Sequence, residues 1–134
     1  MRIAYLSIDE VNSALAAEMA ERHGISLCVV EPRDGTPGPQ FDAVLCDWDF
    51  WHARTRPERL ADLLAEGLSR PVALHGYGVE DDEAEALRRR GVVLFPALKA
   101  EVFQHLRQAV IAARVAAAVG CELVQEAQRA GGAA

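Results

Sequence analysis

Basic charge is in short supply in this chain of 134 residues. Lys and Arg number 14 against 20 Asp and Glu, a formal balance of 14 − 20 = −6. A chain of that sign has no electrostatic reason to hold a polyanion, so direct nucleic-acid binding is not expected. The one dense basic run, Arg88, Arg89 and Arg90, falls at the end of a predicted helix, where the dipole accounts for it. Cysteine is scarce as well. Cys28, Cys46 and Cys121 have no C-x-x-C or Cys/His metal spacing among them, and two of them sit in apolar strand-like runs as buried thiols. No metal or cofactor is expected on these grounds, and a reducing cytoplasm is the natural compartment. No signal-peptide pattern precedes the first strand. Long apolar runs are lacking too: the small-residue stretches flanking Arg114 are short for a bilayer span, so no membrane role is expected.

What is present is alternation. Residues 3–8 form an apolar, β-rich run, a first strand buried on both faces. Val11, Leu15, Met19 and Ala20 then recur at helical spacing, with Asp9 as N-cap and His23-Gly24 as the stop. Residues 26–30 are a second strand and 41–47 a third. Thr55 and Glu58 make a capping box before a helix striped by Leu60, Leu63, Leu64 and Leu68. Residues 71–74 are a fourth strand. A helix opened by Glu80, Asp81, Asp82 and Glu83 and closed by the three arginines and Gly91 leads to a fifth strand at 92–95. The last helix is predicted over 99–119, just before Gly120.

Short buried strands alternating with helices specify an α/β fold: a flavodoxin-like parallel sheet of five strands in the order 2-1-3-4-5, helices on both faces. A ligand site is then expected at the carboxyl ends of strands 1 and 3. Residues 31–40, rich in Pro and Gly, join strands 2 and 3 with no helical pattern, so the second helix is expected to be missing or vestigial. Residues 1–110 are read as the domain and 111–134 as a C-terminal helical extension and tail.

Three segments carry a resemblance: Phe41-Asp42-Ala43-Val44-Leu45-Cys46-Asp47, Arg70-Pro71-Val72-Ala73-Leu74 and Gly91-Val92-Val93-Leu94-Phe95-Pro96. With the layout around them, they resemble the receiver domains of bacterial response regulators over residues 2 to about 110. The resemblance implies that Asp47 stands at the place of the phosphoacceptor. It also implies an acidic pair for Mg²⁺ after strand 1, a hydroxyl after strand 4 and a lysine before the proline after strand 5. Here those places fall on Ser7 and Ile8, on Gly76 and on Phe95. Phosphoryl transfer depends on positioning and charge neutralisation, so a site stripped of these groups has lost most of its means. A two-residue slip would put Asp9 and Glu10 in the metal place without restoring the lysine or hydroxyl. The missing helix and long C-terminal helix are similar to the pseudo-receiver domains of amidase-operon antiterminators, which dimerise through such a helix. The RNA-binding domain of those proteins has no counterpart in the sequence.

Around the expected edge, Asp9, Glu10, Asp47 and Asp49 could hold a divalent cation weakly, with Asp9 and Asp47 the nearest to a Mg²⁺ pair; Asp9 is equally an N-cap. His52 and His75 share that edge without a nucleophile elbow beside them, so no catalytic residue is assigned. The glycines of His75-Gly76-Tyr77-Gly78 match no phosphate-binding fingerprint. Trp48, Trp51 and Tyr77 read either as exposed aromatics for a partner or as a cover over the vestigial pocket. Past residue 109 the last helix is apolar nearly all round, with Ile111, Val115 and Val119 as its large residues, and a homodimer through it is expected. The functional expectation is a non-enzymatic, phosphorylation-independent interaction module in bacterial signalling or gene regulation, with an unidentified protein partner. The alternatives are a true phosphoacceptor using Asp47 and Mg²⁺, or a small-molecule-binding flavodoxin-like domain.

Overall fold

The computed structural model describes residues 1–31, 37–49 and 70–132. Trp51, His52, the Thr55 and Glu58 capping box and the leucine-striped helix after it lie outside the described residues.

In chain order the elements are β1 (Arg2–Leu6), α1 (Glu10–Arg22), β2 (Ser26–Val30), β3 (Ala43–Asp47), β4 (Val72–His75), α2 (Asp81–Arg89), β5 (Val93–Phe95) and α3 (Ala100–Gly132). The strands form one parallel sheet in the order β2-β1-β3-β4-β5, as the alternation predicted. Ile3, Ala4, Tyr5 and Leu6 are buried on both sides, as are all five residues of β3. One face packs Ile3, Tyr5 and Leu45 against Ala16 and Ala20 of α1 and Val102, Phe103, Leu106 and Val110 of α3. The other packs Ala4, Leu6, Val44, Cys46 and Leu74 against Trp48 and Leu87. Side chains alternate faces along a strand, which is why the two clusters divide odd from even positions in β1 and β3.

Helix ends follow the sequence signals. Asp9 caps α1 by accepting from the Asn12 backbone N–H at 3.2 Å. Gly24 and Gly91 take positive φ values of 69° and 86° after α1 and α2. Between β2 and β3 the described residues 31 and 37–42 carry no helix. Strands β3, β4 and β5 begin one or two residues later than expected, and two further boundaries differ. The first strand ends at Leu6, because Ser7 turns its hydroxyl to the Asp9 N–H at 3.1 Å and Ile8 swings into solvent.

The last helix does not stop at Gly120. It runs 33 residues to Gly132, about 50 Å at 1.5 Å per residue. A lone glycine costs a helix only about 1 kcal/mol, and the residues after it, Cys121-Glu122-Leu123-Val124-Gln125-Glu126, continue it. By length and composition the stretch Ala100–Arg129, which contains an 18-residue window of mean hydropathy 1.3, is long and apolar enough to cross a membrane, contrary to the shorter helix expected. Its first turns, however, belong to the core, and Glu122 interrupts the rest. Residues 111–121 give about 16 Å against a hydrocarbon core of about 30 Å.

Candidate functional site

Asp47 closes β3 and is buried. In the parallel register Tyr5 lies opposite Leu45, so Ser7, two residues on, comes level with Asp47 on the same face. Three neutral donors converge on one carboxylate oxygen, Oδ2. The Ser7 hydroxyl donates at 2.9 Å, the Asn12 side-chain amide at 3.0 Å and the Tyr5 hydroxyl stands at 3.4 Å. His75 ends β4 directly beside Asp47 in the ladder. Its Nε2 lies 2.6 Å from the Tyr5 hydroxyl, and the two rings stack at 5.6 Å.

Charge on this cluster is discouraged. Burial lowers the His75 pKa below the usual histidine range, against the pull of Asp47 and Asp49. With the proton of the neutral imidazole on Nε2, His75 donates to the Tyr5 oxygen, and the one Tyr5 proton is left for Asp47 Oδ2. Burial, then the Asp47 carboxylate, pushes the Tyr5 phenol up, so the hydroxyl stays a donor. Burial likewise raises the Cys46 thiol, which faces the opposite cluster and takes no part here.

A second carboxylate, Asp49, is committed to the backbone. Its two oxygens accept from the N–H groups of Tyr77 at 3.2 Å and Gly78 at 3.1 Å, tying the loop after β4 down. Gly76 opens that loop at φ 155°. A Cβ there would stand 2.9 Å from the Trp48 Cβ and 3.1 Å from both Asp49 side-chain oxygens. A hydroxyl residue at Gly76 is therefore excluded by strain and by space.

Mg²⁺ does not suit this donor set. Asp47 Oδ2 already accepts from three groups, Asp9 Oδ2 is engaged as the N-cap, and the Ile8 side chain has no oxygen and is exposed. Ser7 does face Asp47, as a hydrogen-bond donor. The ring of Phe95, at the lysine place, turns to the helix, tilted on His105 at 5.6 Å, and packs on the cluster that contains Tyr5. Trp48 was read either as an exposed aromatic for a partner or as a cover over the vestigial pocket. It is fully buried, because it follows Asp47 on the face of Cys46 and fills the space over Leu6 and Leu74. Tyr77 is exposed at 81 %, while Ile111 and Val115 are exposed at 49 % and 58 %. Val119 is also exposed.

Tyr5 and Asn12 were not singled out from the sequence. Strand parity could have found Tyr5, two residues before Ser7. Asn12 carries the weaker signal of a polar residue on the inward side of α1, one turn from its cap.

No protein-family model matches the chain, and no curated protein matches it. Solved structures do. The signal receiver domain of a putative Luxo repressor protein from Vibrio parahaemolyticus superposes with a TM-score of 0.71 at 13 % identity, covering 88 % of this chain and 95 % of that one. A CheY-like response regulator receiver domain from Methanospirillum hungatei gives 0.68 at 10 %, covering 84 % and 95 %. The receiver domain of the Francisella response regulator 1452 gives 0.64 at 14 %, covering 81 % and 95 %. At these identities the likeness establishes the fold: a receiver-type, flavodoxin-like sheet with its helices.

Proposed function

We propose that this receiver-fold chain is a non-enzymatic, phosphorylation-independent interaction and dimerisation module of bacterial signalling or gene regulation, working in a reducing cytoplasm. One observation carries the reading: Asp47 Oδ2 is held by Ser7, Asn12 and Tyr5, all neutral. Among the described residues, none brings to Asp47 the fixed positive charge that a transferring phosphoryl group requires. Phe95 at the lysine place, packed on His105, and Gly76 at the hydroxyl place support the same reading. So do the three unpaired cysteines for the compartment. The helix-free residues 37–42 and the long α3 favour a relationship to the pseudo-receiver domains of amidase-operon antiterminators, with α3 as the homodimer helix.

The test is incubation with acetyl phosphate and Mg²⁺ followed by intact-mass measurement. The mass should not change. A one-phosphoryl adduct that vanishes in Asp47→Asn would overturn the proposal. That outcome would favour the second reading, a true phosphoacceptor, for which one feature speaks: Asp47 Oδ1 accepts from none of the described residues.

A further inference from the structure

Helix α3 has two faces with different fates. Val102, Phe103, Leu106 and Val110 point into the core. Ala113 and Ala117 continue that side past the sheet and line a groove of about 280 Å³ with Phe41. The opposite face is a stripe spaced alternately by three and four residues: Glu101, Gln104, Gln108, Ile111, Val115, Ala118, Glu122 and Gln125, every one of them exposed. Alternating three and four is the heptad spacing by which two helices pack along a seam. The stripe is apolar only at its centre, at Ile111, Val115 and Ala118. Its only charges are Glu101 and Glu122, one toward each end.

We infer that a second copy of this chain covers the stripe antiparallel, centred between Ile111 and Val115. The inference rests on reading α3 as the dimer helix and adds the direction and register. In this register Ile111 meets the partner's Val115 twice across the two-fold axis. Gln108 meets the partner's Ala118, Gln104 the partner's Glu122, and Glu101 the partner's Gln125. Each carboxylate then faces an amide that can donate to it. A parallel, in-register pair would set Glu101 on the partner's Glu101 and Glu122 on the partner's Glu122, two like-charge contacts beside the seam. Such contacts are destabilising and are the usual device against a wrong pairing. In the antiparallel pair each sheet lies on the far side of its own helix, so none of the described strands stands between them. The overhang of each chain covers the first half of the other's α3.

Cross-linking decides the direction. In a Cys28→Ser, Cys121→Ser background, one chain carries Gln108→Cys and a second, larger tagged chain carries Ala118→Cys; the two are co-expressed and mildly oxidised. The mixed disulfide between unequal chains should form, and neither chain alone should cross-link. In the antiparallel register equal positions lie ten residues apart, about 15 Å, beyond the roughly 7 Å limit for a disulfide. Self-cross-linking of each chain alone, with no mixed product, overturns the antiparallel register and leaves the dimer standing. A monomeric mass by light scattering overturns the dimer reading itself.

Discussion

The two ends of the molecule treat exposed chemistry in opposite ways. At the carboxyl edge of the sheet, the carboxylate that a receiver would leave for Mg²⁺ and a phosphoryl group is drawn inward by Ser7, Asn12 and Tyr5, and Tyr5 is bound in turn to His75. That end satisfies itself. At the other end α3 leaves the domain after Val110, the last it buries of the residues whose burial is described, and carries Ile111 and Val115 into solvent. That end satisfies nothing until something covers it. On the proposed reading, the chain keeps a receiver's shape while its point of action moves from the pocket to the helix.

The largest expected effect breaks the open end. An Ile111→Glu, Val115→Glu double variant should convert the dimer to monomer, because four carboxylates would meet at the centre of the seam. Light scattering coupled to size exclusion reads this directly, and an unchanged mass would remove α3 from the account.

At the closed end, Gly76→Ser tests why the hydroxyl was lost. Left-handed backbone strain and a Cβ contact at 2.9 Å should together lower stability by about 2–4 kcal/mol in urea unfolding. Phe95→Lys should lower it by about 1–3 kcal/mol, since the ring's packing on His105 and the core is replaced by a charge without a partner. If Phe95→Lys is as stable as the parent, the packing of the ring on His105 and the core contributes nothing.

Acid should loosen the same end. His75 has a folded pKa below its unfolded value of about 6.5, so between those values the unfolded chain binds more protons. Stability should therefore fall as pH drops below about 6.5 and recover as pH rises, and His75→Gln should flatten that slope. Denaturation midpoints at a series of pH values would show it; a slope unaffected by His75→Gln would contradict it. The smallest effect belongs to Arg114, whose ion pair with Asp42 spans 3.1 Å at the surface. The Asp42 pKa is held low first by the Arg2 backbone N–H and only then by Arg114. Arg114→Ala should cost no more than about 1 kcal/mol.

The fold was legible because period and punctuation agreed: alternating buried runs, Asp9 as cap, Gly24 and Gly91 as stops. The pocket was legible only in part. Asp47, Gly76 and Phe95 could be placed by counting from strand ends. The partners that neutralise the site could not, since Asn12 comes from another element and only the assembled register brings it to Asp47. The two readings of Trp48 could not be separated for the same reason: its burial depends on the face it takes after Asp47, and loop position alone hides that. Gly120 misled in the other direction. A glycine stops a helix when the following residues let the chain turn, and here they are good helix formers.

The contrast between a closed pocket and an open helix is tested most directly by light scattering of the intact chain at micromolar concentration, with and without beryllofluoride and Mg²⁺. The account predicts twice the 14.5 kDa chain mass under both conditions. A monomer, or a mass that changes when beryllofluoride is added, would contradict it.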